Sequence, residues 1–103
     1  MLNLIGIASR ARKTTFGADL TIKGVRANKV LLVCLANDAA YNTTKFVLDK
    51  SKTYNVLVIH EFNSQELSNA VGKQNVKVVG VTDQGFSEAM LSRKRKWIIW
   101  PKI

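Results

Sequence analysis

An unbroken apolar run occupies residues 30–35 and ends in a polar turn at residues 36–38. A run of this length is typical of a strand that is buried on both faces of an α/β sheet. Between Gly17 and this run, four residues are spaced as on one face of a helix. They are Ala18, Thr21, Ile22 and Val25. Residues 16–38 are therefore predicted to form a helix that packs on the core, followed by a buried strand.

The same alternation of helical and strand patterns continues along the chain. Apolar runs at residues 56–59 and 76–81 predict two more strands, and residues 14–16 predict a very short one. Asn63 stands three residues before Glu66, the spacing of a capping box, and Gly72 is placed to end the helix that starts there. The alternation predicts the α/β class, as a three-layer α-β-α sandwich with a mixed four-stranded central sheet. We expect one domain at residues 1–92 and a separate tail at residues 93–103.

The distribution of charge indicates the kind of partner. The 103 residues carry a formal charge of +9 and the pI is about 10.1, which favours a polyanion. Residues 1–30 hold six Lys or Arg against Asp19 alone, residues 90–103 hold five against no carboxylate, and the segment between them is about neutral. If the fold brings the two terminal segments together, this charge forms one basic face.

Several function classes are disfavoured by the residues that the chain contains. One cysteine and one histidine exclude an internal disulfide and any Cys/His zinc cluster of ordinary spacing. Because there is no nucleophile elbow, P-loop or glycine fingerprint, we expect a protein that is not an enzyme and that uses no cofactor or metal. Cys34 is expected to be an inert buried thiol. No signal peptide or membrane span is recognisable, so we expect a cytoplasmic address and no membrane partner. We also expect a monomer.

The outer face of the predicted helix after Gly17 is the main candidate site. An apolar side chain lies in the open there beside two cations, close to the amide groups of the helix amino terminus. Such a terminus, with a cation within about a turn, is a place where phosphates can bind. The residues on this face are Asp19, Leu20, Lys23 and Arg26, and the basic pair Arg12 and Lys13 precedes the helix.

Three motifs, in this order, resemble the kink-turn-binding ribosomal-protein family. They are Gly17-x-x-x-x-x-Lys23, Leu35-Ala36-Asn37-Asp38 and Leu67-Ser68-x-Ala70-x-Gly72. Archaeal-type large-subunit members of this family share a three-layer α-β-α fold, and this chain is most similar to the small bacterial members, over about residues 2–91. The resemblance implies RNA binding, with a ribosomal or otherwise structured RNA as the partner.

The resemblance also implies roles for particular positions. The family reads tandem sheared G·A pairs with an Asn-Glu pair after the glycine and a Lys one helical turn later. The matching positions here are Asp19, Leu20 and Lys23, so only the lysine is unchanged. Asp has no amide donor, and Leu makes no polar contact with a base. A family loop that covers a flipped-out base falls at residues 61–63, where Phe62 offers a stacking face beside Asn63.

Several of these residues have a second interpretation. Lys23 could pair with Asp19 one turn earlier on the helix. Phe62 could pack on the core instead of on a base. Asn37 and Asp38 could cap a helix as readily as contact a ligand.

The tail at residues 93–103 also has two interpretations. Its cations could neutralise phosphates while Trp97 or Trp100 stacks on bases, or the segment from Trp97 could fold back on the domain as an extended stretch. The alternative function for the whole chain is a protein-interaction module that uses exposed Leu20 and the two tryptophans. The four cations of the tail are Arg93, Lys94, Arg95 and Lys96.

Overall fold

The computed structural model describes residues 1–92 and the backbone of residues 98–100. Helices and strands alternate along this part of the chain, as the sequence predicts. None of these helices is long and apolar enough to cross a membrane. The helices are α1 (Leu2–Arg10), α2 (Ala18–Arg26), α3 (Tyr41–Thr53), α4 (Ser64–Val71) and α5 (Gln84–Ser92). The strands are β1 (Thr14–Phe16), β2 (Leu32–Leu35), β3 (Leu57–Ile59), β4 (Val78–Val81) and β5 (Ile98–Trp100).

The strands form one mixed sheet in the order β1-β4-β2-β3-β5. β2 and β3 run parallel, whereas β4 is antiparallel to both β1 and β2. The four strands within residues 1–92 are the mixed four-stranded sheet that the sequence predicts, and β5 adds a fifth. Every residue of β2 and β4 is buried, because helices cover both faces of the sheet.

Two helix layers complete the α-β-α sandwich. On one face of the sheet, α1, α4 and α5 contribute Ile5, Leu67 and Met90 to the core. On the other face, α2 and α3 contribute Ile22 and Val47. All five side chains are at most 1% exposed, and burying an aliphatic side chain of this kind stabilises a fold by about 1.5–3 kcal/mol.

Helix α2 lies close to the sheet because Gly80 of β4 has no side chain. A Cβ atom at Gly80 would lie 2.5 Å from Thr15 Oγ1 and 2.8 Å from Thr21 Cγ2, so no larger residue fits without a shift. The hydroxyls of Thr15 and Thr21 are hydrogen-bonded at 2.9 Å and join β1 to α2. The core face predicted for this helix is therefore held on β1 and β4.

One end of the sheet collects the segments that form the candidate site. β1, β2 and β3 end there and β4 begins there. The Gly17 amide donates to the Val78 carbonyl at 2.9 Å, and the Ala36 amide donates to the Lys77 carbonyl at 2.8 Å. Helix α2 therefore begins beside the loop that leads into β4.

The described part of the tail supports the folded-back interpretation. β5 runs antiparallel to β3, with Ile98 opposite Ile59 and Trp100 opposite Val58. β5 and β1 lie at opposite edges of the sheet. The cations at 93–96 and the residue Trp97 lie outside the described residues.

Candidate nucleic-acid interface

Helix α2 begins at Gly17 without a side-chain cap. Gly17 has φ 86° and ψ 155°, a conformation that residues with a side chain rarely adopt, so the turn out of β1 favours glycine. The Gly17 carbonyl accepts the Thr21 amide at 3.1 Å, which is the first hydrogen bond of the helix. The amides of Ala18, Asp19 and Leu20 come before that bond and have no acceptor within the helix. The amino end of α2 therefore offers donors and a partial positive charge.

A groove of about 380 Å³ borders this helix end, and we call it the amino-end groove. Two cations line it, Lys73 and Lys77, and no carboxylate is among its lining residues. Two full positive charges beside an uncapped helix end stabilise a bound anion. The full lining is Phe16, Gly17, Ala18, Thr43, Lys73, Gln74, Asn75, Val76, Lys77 and Val78.

Lys73 and Lys77 are candidate site residues that the sequence does not indicate. Both belong to the stretch of near-zero net charge between the two basic segments. They reach Gly17 only because β4 pairs antiparallel with β1, which sets Phe16 opposite Val79. A strand pairing between distant segments leaves no local sequence pattern, so only the topology identifies these two lysines.

The loop that carries Lys73 is held by a buried serine of α4. The Val76 amide donates to Ser68 Oγ at 2.9 Å, and the Lys73 amide donates to the Ser68 carbonyl at 3.1 Å. α4 ends as predicted at Gly72, which is left-handed with φ 71°. The ammonium of Lys73 lies 4.9 Å from the centroid of the Phe16 ring, a cation–π distance. Hydrogen bonds to Ser68 therefore hold the backbone of loop 72–76, and the Phe16 ring holds the ammonium of Lys73.

The outer face of α2 carries the residues that the sequence places there. Leu20 is 55% exposed, and Lys23 is exposed one turn further along. No ion pair joins Asp19 to Lys23 in the part of the chain that the structure describes, so the pairing suggested for them is not observed. Leu20 and Lys23 border a groove of about 240 Å³, the Leu20 groove, with Thr15, Gly24, Ala27, Lys29, Val30 and Thr82.

Three other basic candidates lie away from the amino-end groove. Arg12 and Lys13 form the exposed turn between α1 and β1, at the end of β1 opposite Gly17. The Lys13 carbonyl accepts the Thr82 amide at 2.8 Å. Arg26 is exposed in the last turn of α2. The structure therefore spreads the predicted cations along α2 and β1 and does not gather them at one point.

Asn37 and Asp38 hold neighbouring segments together. Asp38 contacts the first residue of α4, as the capping interpretation expects, whereas Asn37 bonds a loop carbonyl and caps none of the described helices. Asn37 Nδ2 donates to the Glu61 carbonyl at 2.9 Å. Asp38 accepts both the Ser64 amide and the Ser64 hydroxyl at 2.8 Å, at the first residue of α4. These hydrogen bonds from Ser64 lower the pKa of Asp38, and the charge of Lys77 acts in the same direction.

Phe62 and Asn63 are likewise part of the framework. Phe62 is 9% exposed and belongs to the core cluster beneath α1, α4 and α5. Its ring is therefore not open for stacking on a base, and the core interpretation of Phe62 holds. Asn63 is the N-cap of α4: its side chain accepts the Glu66 amide at 2.8 Å, and the Glu66 carboxylate accepts the Asn63 amide at 3.0 Å. This is the predicted capping box.

Two side chains could act as a nucleophile or a base, Cys34 and His60. Cys34 is buried, and His60 is hydrogen-bonded to the backbone. Burial raises the pKa of the Cys34 thiol to about 12, so the nucleophilic thiolate is scarce at neutral pH. His60 Nε2 lies 3.2 Å from the Ala36 carbonyl and is tied to the same end of the sheet. The residues that the structure describes contain no group of three or more His, Cys, Asp or Glu that could hold a metal ion.

The sequence pattern of the Ribosomal protein L7Ae/L30e/S12e/Gadd45 family matches residues 1–91. The chain belongs to this family. It is 44% identical over 87 residues to the RNA-binding protein YlxQ of Enterococcus faecium, which covers 84% of each chain. It is 43% identical over 89 residues to the RNA-binding protein YlxQ of Bacillus subtilis, covering 86% of this chain and 89% of that one. The resemblance found from three sequence motifs is thus confirmed.

Solved structures of the same fold agree with the architecture. A protein of unknown function from Bacillus halodurans superposes with a TM-score of 0.85 at 40% identity, covering 88% of this chain and 92% of that one. A Giardia lamblia 15.5kD RNA binding protein superposes with a TM-score of 0.74 at 20% identity, over 88% of this chain and 78% of that one. The second likeness, at this low identity, shows the fold alone.

Proposed function

We propose that this chain binds structured RNA through the amino end of α2 and the loop that leads into β4. The observation that supports it most is an uncapped helix end on a groove that has Lys73 and Lys77 and no carboxylate in its lining. Phosphate oxygens match backbone amides and lysine ammonium groups in both charge and hydrogen bonding. That two relatives above 40% identity carry the name RNA-binding protein supports RNA as the source of the phosphate.

In this proposal Lys23 contacts RNA beyond the phosphate at the helix end. Lys23 stands six residues after Gly17, about 9 Å along the helix axis at roughly 1.5 Å per residue. Its side chain is exposed beside Leu20. A phosphate at the amino end and a base edge at Lys23 would extend the RNA contacts along this length of α2.

The ligand class that follows is a kink-turn-like RNA, bound with modest selectivity. Asp19 and Leu20 replace the Asn-Glu pair with which the family reads sheared base pairs, so the amide donor and one carboxylate acceptor are missing. The basic surface then contributes a larger share of the affinity, and that share depends strongly on salt. We place the protein in the cytoplasm as a non-catalytic monomer that associates with ribosomal or other structured RNA.

The test of this proposal is the substitution Lys23→Ala. Affinity for a kink-turn hairpin, measured by filter binding, is expected to fall by about 1–3 kcal/mol, the size of a base-edge contact on DNA. The free energy of unfolding is expected to stay nearly constant, because Lys23 is exposed. Lys45→Ala, an equal charge change at an exposed position of α3, is the control. Equal losses in both variants would remove Lys23 from the site.

A second candidate function rests on the Leu20 groove. Leu20 is 55% exposed and lies beside Ala27 and Val30 in this groove, an arrangement that suits an apolar side chain of a protein partner. The two functions differ in their response to salt. Phosphate binding releases counterions and gives a steep slope, whereas docking at Leu20 gives a shallow one.

The tail is part of the same proposal. Its four cations, Arg93, Lys94, Arg95 and Lys96, would add phosphate contacts that do not distinguish one RNA from another. Their expected effect is a general gain in affinity.

A further inference from the structure

A second basic groove lies beside β1, where helices α1 and α4 end. This groove, the carboxyl-end groove, has a volume of about 430 Å³. Arg10 and Arg12 line it from the α1 side, and Lys73 lines it from the α4 side. No carboxylate is among its lining residues. Three cations thus line a groove that shares Lys73 with the amino-end groove and adds Arg10 and Arg12 to it.

Cations near helix carboxyl ends commonly offset the partial negative charge of those ends. The amount of that negative charge can be compared with the positive charge in the groove. Each helix carboxyl end carries roughly half a negative charge. Two such ends, at Arg10 of α1 and Val71 of α4, amount to about one negative charge. Three full positive charges exceed this by about two. The groove therefore keeps a net positive charge after the helix ends are offset, and it attracts an anion.

The two grooves are continuous. Phe16 and Lys73 line both of them, and the Lys73 ammonium lies 4.9 Å from the centroid of the Phe16 ring. Gly17 stands five positions after Arg12, up to about 16 Å away at roughly 3.3 Å per residue of extended chain. An anion that spans both grooves must be a chain of charges, because one phosphate cannot reach across that length.

We infer that the carboxyl-end groove binds the phosphate backbone of an RNA strand that continues beyond the junction held at the amino end of α2. This inference rests on the proposed function. Lys73 is the link between the two parts of the site, and Phe16 positions its ammonium. Arg10 and Arg12 then contact phosphates of the extension, without reading its sequence.

The test compares a kink-turn hairpin with the same hairpin extended by ten unpaired nucleotides, at the 5′ end in one probe and at the 3′ end in another. Binding is measured as a function of salt for the unaltered protein, for Arg10→Gln/Arg12→Gln and for the control Lys45→Gln/Lys52→Gln. The control removes the same charge from exposed positions of α3. Melting curves check that each variant is folded.

Arg10 and Arg12 are expected to make two phosphate contacts with one of the extensions. For the unaltered protein and the control, that extension should steepen the plot of log affinity against log salt by about 1.4, since each contact on a single strand contributes roughly 0.7. In the Arg10/Arg12 variant that extra slope is lost. An equal gain in all three proteins, or no gain from either extension, overturns the inference while leaving the proposed function intact. If the unextended hairpin does not bind the unaltered protein, the proposed function itself fails.

Discussion

The hydroxyl of Ser68 accepts a 2.9 Å hydrogen bond from the amide of Val76, and this contact fixes the loop that carries Lys73 beside helix α2. The hydroxyl supplies an acceptor for a buried amide that loop 72–76 would otherwise leave without one. The same residue therefore serves the stability of the fold and the geometry of the amino-end groove.

Replacing Ser68 by Ala is expected to lower the free energy of unfolding by about 1–3 kcal/mol, because the buried Val76 amide loses its acceptor. Urea unfolding measures this change. Ser51→Ala is the matched control, since Ser51 Oγ is buried with no hydrogen-bond partner within the described residues and its removal orphans nothing. A loss for Ser68→Ala no larger than that for Ser51→Ala would show that the contact does not stabilise the loop.

Asp38 makes part of the stability dependent on pH. Because Ser64 donates two hydrogen bonds to it, its pKa is lowered in the folded protein. A carboxyl group with a lowered folded pKa stabilises the fold above its unfolded pKa, about 3.9, and this stabilisation is lost as pH falls through the folded value. Asp38→Asn is therefore expected to be less stable than the unaltered protein at pH 7, with the difference shrinking on acidification below about pH 4.

Unfolding curves at several pH values measure that difference, and Ser64→Ala separates its cause. With the Ser64 hydroxyl removed, Asp38→Asn is expected to cost less stability than it does in the unaltered protein. A stability difference of constant size from pH 7 to pH 2.5 would mean that ionisation of Asp38 does not stabilise the contact between the two loops.

Restoring the family pattern on α2 should raise selectivity for a kink turn. The variant Asp19→Asn/Leu20→Glu regains an amide donor and a carboxylate acceptor, and its net charge stays at +9 because the two changes cancel. Thr21, Ile22 and Val25, which face the core, are untouched, so stability should change little. The ratio of affinities for a kink-turn hairpin and for a duplex of equal length is expected to rise.

The unaltered protein is the reference in that comparison. If it already prefers the kink turn strongly and the variant gains nothing, the helix-end amides and Lys23 are sufficient for recognition. The departures at Asp19 and Leu20 would then have no effect on selectivity.

The layers of the fold are predictable from the sequence because burial leaves a periodic pattern. Ile22 and Val25 recur at helical spacing, and residues 32–35 are apolar without interruption because both faces of β2 are covered. Glycine and capping chemistry is equally local, so Gly17, Gly72 and the Asn63 capping box are found where the sequence places them.

The site is less predictable, because most of it is assembled between distant segments. Lys73 and Lys77 join Gly17 through the pairing of β1 with β4, which no local pattern reveals. Phe62 shows the opposite difficulty: a single aromatic residue in a loop has no periodicity, and only its 9% exposure assigns it to the core. Sequence motifs indicate α2 as one part of the candidate site. The pairing of β1 with β4 places the loop into β4 beside it.

RNA is proposed to bind where α2 begins beside the loop into β4, and amide chemical shifts of the isotope-labelled protein locate the contact residue by residue. On titration with a kink-turn hairpin, the largest shifts are expected at residues 17–23 and 73–77. Residues 48–53, at the far end of α3, are expected to change little. Shifts concentrated at residues 48–53, with residues 17–23 and 73–77 unmoved, would show that RNA does not bind at the amino end of α2.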